Sequence, residues 1–323
     1  MKMLFKALAL LASLAVCCTA ASQDYPTKPI RLVVGFPAGG QSDIIGRLVA
    51  ESLSQQLHQA VIVENKGGAS GIIAADYVAR QPGDGYTILL TSESLQSRAA
   101  AVFKRLPYDP INDFRPIGKF AKQKVLMVVN SSSKFKSVKE FLAYARENPA
   151  KLNYGATYST SSQFGAALFN QLNKIEMVGI YYPGGAKPMT DLLGNVVDVG
   201  FFVESTVSSF VQAGSMRALA VASNERSSLF PSVPTLREAG AAPMEVSPWF
   251  GLVVPAKTPD KIVSALSDAL SKAVDSPVMR GRMNVIGASA IRGSTPEKFG
   301  TELREEVTYW KKFVADTKFP LLD

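Results

Sequence analysis

The sequence predicts two α/β lobes with a ligand cleft between them. Three observations carry this. Short strand-like apolar runs alternate with longer helical ones, the alternation is run through twice, and no low-complexity linker separates the two rounds. Each lobe is expected to be a mostly parallel sheet flanked by helices, and a cleft at the carboxyl ends of such strands is where ligands sit.

The first round opens with a buried strand over 30–36, which stops at Pro37-Ala38-Gly39-Gly40. Residues 43–57 follow at helical spacing, with Ile44, Leu48 and Leu53 among the apolar positions. A second strand covers 61–64. Gly67, Gly68 and Gly71 break the chain, and 72–80 form the next helix. Pro82-Gly83-Asp84-Gly85 is a turn before a third strand over 87–91. The second round reads strand 124–129, helix 138–148, strand 152–155, helix 161–172, short helix 189–193, strand 197–202, helix 207–213 and strand 217–222. A strand over 250–254 and two long helices over 259–274 and 296–316 close the chain, each helix opened by a proline near its first turn.

The first residues do not belong to this fold. Lys2 and Lys6 precede a short apolar run over 7–16, and Cys18, Thr19, Ala20 and Ala21 are small, the order of a secretory signal peptide over 1–21. That run is too short to span a bilayer, and no later run is long and apolar enough to do so. Leu14-Ala15-Val16-Cys17 loosely matches a lipoprotein cleavage box, but Val16 is bulkier than such a box wants, so a soluble periplasmic protein without a lipid anchor is expected. Both cysteines, Cys17 and Cys18, fall inside this leader, so disulfides are not expected in the mature chain. Without Lys2 and Lys6, 33 of the 35 basic residues face 27 acids, a net charge of +6 against +8 for the whole chain. Those charges are thinly spread, which argues against nucleic acid as a partner.

Residue inventory removes several chemistries. His58 is the only histidine and falls between a helix and a strand. A Ser-His-Asp triad or a His/Cys metal cluster is therefore not expected, and no phosphate-binding P-loop occurs, so neither a metal nor a cofactor is predicted. Carboxylate or serine catalysis through Asp43, Glu93 or a serine stays open as an alternative.

Three loops have the character of anion sites. In Phe36-Pro37-Ala38-Gly39-Gly40-Gln41-Ser42-Asp43 a strand turns on two glycines into a helix, whose free N–H groups and partial positive charge suit a carboxylate. Ser42 or Asp43 capping that helix is the alternative. In Tyr154-Gly155-Ala156-Thr157-Tyr158-Ser159-Thr160-Ser161-Ser162 a hydroxyl-rich loop leads into a helix and offers more hydroxyls than capping requires. In Tyr181-Tyr182-Pro183-Gly184-Gly185-Ala186 paired glycines permit close backbone approach, or simply a turn.

Taken in order, these pieces resemble the Bug family, the substrate-binding proteins of tripartite tricarboxylate transporters. The resemblance rests on Tyr25-Pro26-Thr27-Lys28-Pro29-Ile30-Arg31-Leu32-Val33-Val34 with Phe36-Pro37-Ala38-Gly39-Gly40, then Val63-Glu64-Asn65-Lys66 and Asp84-Gly85-Tyr86-Thr87. Gly184-Gly185-Ala186 with Asp191-Leu192-Leu193, Arg217-Ala218-Leu219-Ala220-Val221, Phe230-Pro231-Ser232-Val233-Pro234-Thr235 and Trp249-Phe250-Gly251-Leu252 continue it. It implies a two-lobed periplasmic-binding-protein fold, with one lobe over 24–124 and 252–323 and the other over 125–251. It also implies a small organic acid as ligand and a membrane permease, or a sensor domain, as partner of a monomer.

On matching positions the resemblance nominates Phe36, Ala38, Gly39 and Asp43 in one lobe. It nominates Tyr158, Ser159, Thr160, Ser161 and Ser162 in the other, with Gly184 and Gly185 nearby, and Ser92 and Glu93 at the end of the third strand. Three positions depart from the family pattern. Gln163 stands where a histidine is common, Pro183 where a lysine is common, and Phe202 where an aspartate is common. Phe202 has two readings. Stacking on a ligand ring predicts an acid with an aromatic body and no ammonium group, whereas packing in the core predicts nothing about the ligand.

Overall fold

The computed structural model describes residues 25–182, 186–317, 319, 321 and 322; the predicted leader over 1–21 lies outside them. The chain builds two sheets. In order along the chain the elements of the first part are β1 (Ile30–Val34), α1 (Gln41–Leu57), β2 (Val61–Asn65), α2 (Ile72–Ala79), β3 (Thr87–Ser92), a wide π-type turn (Ser94–Arg98), α3 (Ala99–Val102) and β4 (Phe114–Gln123). The chain then runs through β5 (Val125–Asn130), α4 (Val138–Glu147), β6 (Leu152–Thr157), α5 (Ser161–Asn173), β7 (Met177–Tyr182), α6 (Ala186–Leu193), β8 (Val199–Val203), α7 (Glu204–Gln212) and β9 (Met216–Val221). It returns through β10 (Trp249–Pro255), α8 (Asp260–Asp275), α9 (Pro277–Val285), β11 (Ala288–Ala290) and α10 (Pro296–Thr317).

The first sheet has the order β11-β4-β10-β3-β1-β2 and the second β7-β6-β8-β5-β9. The expectation of mostly parallel sheets needs correction. β1 pairs in parallel with β2 and β3, and β6 with β7 and β8, but β4, β5, β9, β10 and β11 join by antiparallel pairing. Only Lys124 separates β4 from β5, so the chain passes straight from one sheet into the other.

Both faces of the first sheet are covered, which is why its strands read as continuous apolar runs. Ile30, Leu32 and Val34 face Ile45, Val49 and Leu53 of α1 together with α8 and α9, while Val33 and Leu89 face Ala74 and Val78 of α2 and Phe299 and Leu303 of α10. The second sheet packs α4 and α5 on one face and α6 and α7 on the other. α10 serves both sheets. Phe299, Leu303 and Val307 lie in a cluster of the first, and Trp310, Phe313 and Val314 in the main cluster of the second. No helix among the described residues is long and apolar enough to cross a membrane.

Candidate functional site

The parallel strands β1 and β3 are neighbours and end on the same edge, which brings the loops after them together. After β1, Gly35 lies so close to the loop ending at Gly71 that an added Cβ would fall 2.8 Å from the Gly71 Cα. Asp43 is buried and both its oxygens are engaged. Oδ2 accepts from the Gly39 N–H at 2.9 Å and from Arg47 Nε at 3.0 Å, and Oδ1 accepts from Asn65 Nδ2 at 3.0 Å. Asn65 Nδ2 also donates to the Phe36 carbonyl at 3.0 Å. The Arg47 hydrogen bond, aided by those from Gly39 and Asn65, holds the Asp43 carboxyl down at about 2. Asp43 therefore fastens the loop and is not a free ligand group. Phe36 is half-buried, and Ala38 and Gly39 are exposed at the loop tip. Gly40 opens α1 without a side-chain cap, and the N–H groups of Gln41, Ser42 and Asp43 have no acceptor among the described residues.

After β6 the pattern repeats. Thr160 opens α5 without capping it, and the N–H groups of Ser161 and Ser162 have no acceptor among the described residues. Of the hydroxyls of Ser159, Thr160, Ser161 and Ser162, three are engaged internally. Ser162 Oγ accepts from the Thr157 N–H at 2.9 Å and lies 2.8 Å from Thr160 Oγ1, which donates to the Thr157 carbonyl at 2.8 Å. Ser159 is left-handed, with φ 59°, and its hydroxyl donates to the Ser94 carbonyl at 3.3 Å. The Ser161 hydroxyl alone forms no hydrogen bond among the described residues. Tyr158 is half-buried and stacks on Tyr181 at 5.3 Å. Gly184 and Gly185 of the third loop lie outside the described residues.

The two sides meet. Besides Ser159 on Ser94, Gln41 Nε2 at the start of α1 donates to Ser205 Oγ of α7 at 2.7 Å and to Gln123 Oε1 at the crossover at 2.6 Å. Both helix starts thus lie where segments of the two sides touch.

Ser92 is half-buried at the end of β3, and Glu93 behind it is buried. Glu93 Oε1 lies 2.8 Å from Arg98 Nη2 in an ion pair within the wide turn. Burial outweighs that partner and pushes the Glu93 carboxyl up to about 7. Arg98 is fully buried, its guanidinium 5.0 Å from the Phe164 ring of α5 and 5.1 Å from the Trp310 ring of α10. Asn65, Gln96, Arg98 and Gln163 were not nominated from the sequence. Asn65 stood inside a quoted motif and Gln163 was marked as a departure, but nothing in Ser94-Leu95-Gln96-Ser97-Arg98 announces a buried turn.

Phe202 is buried. It lies in the cluster of Leu126, Leu192, Val207, Val221 and Phe230, with its ring over Gly200, where an added Cβ would meet the ring at 2.1 Å. This packing is what the core reading expects. An open depression of about 370 Å³ between β4, β11 and α10 is lined by Lys119, Lys122, Trp249 and Arg292 and by none of the nominated residues. His58 caps the far end of α1, away from the cleft.

Residues 45–316 match the model of the tripartite tricarboxylate transporter family receptor. The chain belongs to that receptor family. BugT of Bordetella pertussis is 29% identical over 309 residues, which span 95% of this chain and 94% of BugT. The structure of Rpa4515 from R. palustris with adipate superposes with a TM-score of 0.83 at 30% identity, covering 93% of this receptor and all (100%) of that chain. MatC from Rhodopseudomonas palustris with bound malate gives 0.78 at 30% identity, covering 90% and 100%. The two-lobed periplasmic-binding-protein fold and a solute-binding role in transport follow for this receptor as a member of the family.

Proposed function

We propose that this chain is an extracytoplasmic receptor that captures a small organic dicarboxylate between its two lobes and hands it to a membrane permease. The observation that carries this reading is the pair of uncapped helix starts, α1 against the first sheet and α5 against the second. Each offers backbone N–H groups without acceptors, the arrangement that receives a carboxylate without any cofactor. The adipate and malate of the two neighbouring structures support the ligand class. The moving bodies are 24–124 with 252–323 and 125–251, with the last turns of α10 riding on the second. Closure around the ligand shifts a population between open and closed forms.

Capture without turnover is the favoured chemistry, because Asp43 is engaged by three donors and Glu93 is paired with Arg98. Delivery to a sensor domain is the second partner reading, and a permease is favoured by the family to which the receptor belongs. An aliphatic ligand body is favoured over an aromatic one, because Phe202 packs in a core cluster.

A thermal-shift panel on the mature chain tests the function. Aliphatic dicarboxylates at 100-fold excess over Kd are expected to stabilise the protein by about 2.7 kcal/mol, and matched neutral diamides are expected to do nothing. The absence of a shift with every carboxylate would overturn the reading, and hydrolysis of a bound acid would replace capture by catalysis.

A further inference from the structure

The open depression between β4, β11 and α10 is built by a β-bulge. Opposite β10, Ala121 pairs with Phe250 and Lys119 with Gly251, so Phe120 has no partner in the ladder. A regular strand sends residues i and i+3 to opposite faces. The extra residue cancels that alternation. Phe120 and Ala121 both turn into the core shared with α1 and α8, and Lys119 and Lys122 both line the depression on the other face, where Lys119 lies 5.5 Å from the Phe299 ring of α10. The wall opposite α10 is fastened at three points. The Ile291 N–H donates to the Phe120 carbonyl at 2.9 Å, the Lys119 N–H donates to Ser294 Oγ at 2.9 Å, and Arg292 Nε donates to Asp275 Oδ1 at 2.6 Å.

The charges lining this space are unequally engaged. Lys119 Nζ lies 2.6 Å from Glu306 Oε1 and 3.0 Å from Glu302 Oε2, and 4.6 Å from the Trp249 ring. Glu306 also accepts from Trp249 Nε1 at 2.9 Å and from Ser97 Oγ at 3.1 Å. Three groups keep capacity. Lys122 forms no ion pair or hydrogen bond among the described residues, and neither terminal nitrogen of Arg292 has an acceptor among them. Glu302 Oε1 has no donor among them, since Oε2 makes the contact with Lys119. Trp249, Ala290 and Ile291 add apolar lining, and the volume of about 370 Å³ falls in the range of small-ligand sites.

We infer that this depression is a second ligand site, separate from the cleft, which takes an organic monocarboxylate with an apolar body. Its carboxylate pairs with Lys122 and Arg292, and its body lies on Trp249, Ala290 and Ile291. Lys119 does not bind the ligand; it holds Glu302 in place. Glu302 sets the class, because a second carboxylate in the same space would meet a like charge. Dicarboxylates, the ligands proposed for the cleft, are therefore excluded here. The site shares no residue with the helix starts, and it lies on the α10 face of the first sheet, whereas α1 packs on the opposite face. The inference stands independently of the ligand proposed for the cleft.

The test titrates hexanoate, its neutral amide hexanamide and the diacid adipate calorimetrically into the mature chain carrying Ser161→Asp, which places a negative charge at the start of α5 and so disfavours anions in the cleft. Each affinity is read as the part that a further Lys122→Glu substitution removes. Hexanoate should bind with a Kd of about 1 mM or tighter, and hexanamide and adipate at least about tenfold more weakly. Lys122→Glu changes a half-buried strand residue that has no partner, so the melting temperature should stay level while hexanoate affinity falls at least about tenfold. Glu302→Gln keeps a carbonyl oxygen for Lys119 and removes the repelling charge. It should bring adipate to within about threefold of hexanoate, a change of preference that a purely structural role for Glu302 would not produce. Hexanoate binding that persists in Lys122→Glu, or no hexanoate binding by the Ser161→Asp chain, would overturn the site. An adipate affinity equal to that of hexanoate with Glu302 intact would overturn the ligand class. None of these results bears on dicarboxylate capture, which is read from the unmodified protein.

Discussion

Ser161→Asp should abolish dicarboxylate binding without weakening the fold. Ser161 is the first residue of α5, a buried residue whose hydroxyl makes no hydrogen bond among the described residues. A carboxylate at that point occupies the free N–H groups of the helix start itself. It interacts favourably with the helix dipole, an effect worth about 0.3–1 kcal/mol, so the melting temperature should stay level or rise. A ligand carboxylate would then meet a like charge, which costs several kcal/mol, so affinity should fall by about 100-fold or more. Ser161→Ala removes only one neutral donor and should cost about tenfold at most. Calorimetric titration of the three proteins against one diacid gives the comparison. An aspartate variant that binds like the unmodified protein would remove the start of α5 from the site.

Phe202→Ala should do the opposite, damaging the fold and sparing the ligand preference. The ring is buried against Leu126, Val207 and Val221 and covers Gly200, which has no side chain of its own to fill the space. Truncating a buried phenylalanine to alanine costs about 3–5 kcal/mol. Denaturant unfolding should show that loss as a lower midpoint with an unchanged slope. The milder Phe202→Leu keeps enough folded protein to repeat the thermal-shift panel, in which the order of aliphatic and aromatic acids should not change. Selective loss of aromatic acids would restore the stacking reading that the packing argues against.

These two positions also mark how far the sequence could be read. Helix starts follow from local signals, so Gly39-Gly40 before α1 and the hydroxyl run before α5 were legible as places where backbone N–H groups open. Which hydroxyls remain available was not legible, because the Thr157–Thr160–Ser162 network depends on the three-dimensional turn. Phe202 alternates with Phe201 along β8, and the strand pattern alone cannot say which face looks toward the cleft.

β4 was missed for a different reason. Pro116, Gly118 and Lys119 interrupt its apolar pattern, and Lys119 is buried only because Glu302 and Glu306, far along the chain, neutralise it. The turn Ser94–Arg98 hides in the same way. It is polar in sequence, yet Gln96, Ser97 and Arg98 are fully buried, Ser97 bonded to Glu306 of α10 and Arg98 packed against Phe164 of α5 and Trp310 of α10. Partners supplied by distant segments leave no periodic trace, whereas the strand and helix alternation that fixed the two-lobed architecture is local and leaves a strong one.

The central claim is capture of a dicarboxylate by closure of two lobes, and small-angle scattering of the mature chain with and without a saturating diacid tests it most directly. The account predicts a monomer whose radius of gyration contracts on binding, with no contraction when the matched diamide is added. An unchanged profile at full saturation, confirmed by calorimetry on the same sample, would contradict closure as the mode of capture.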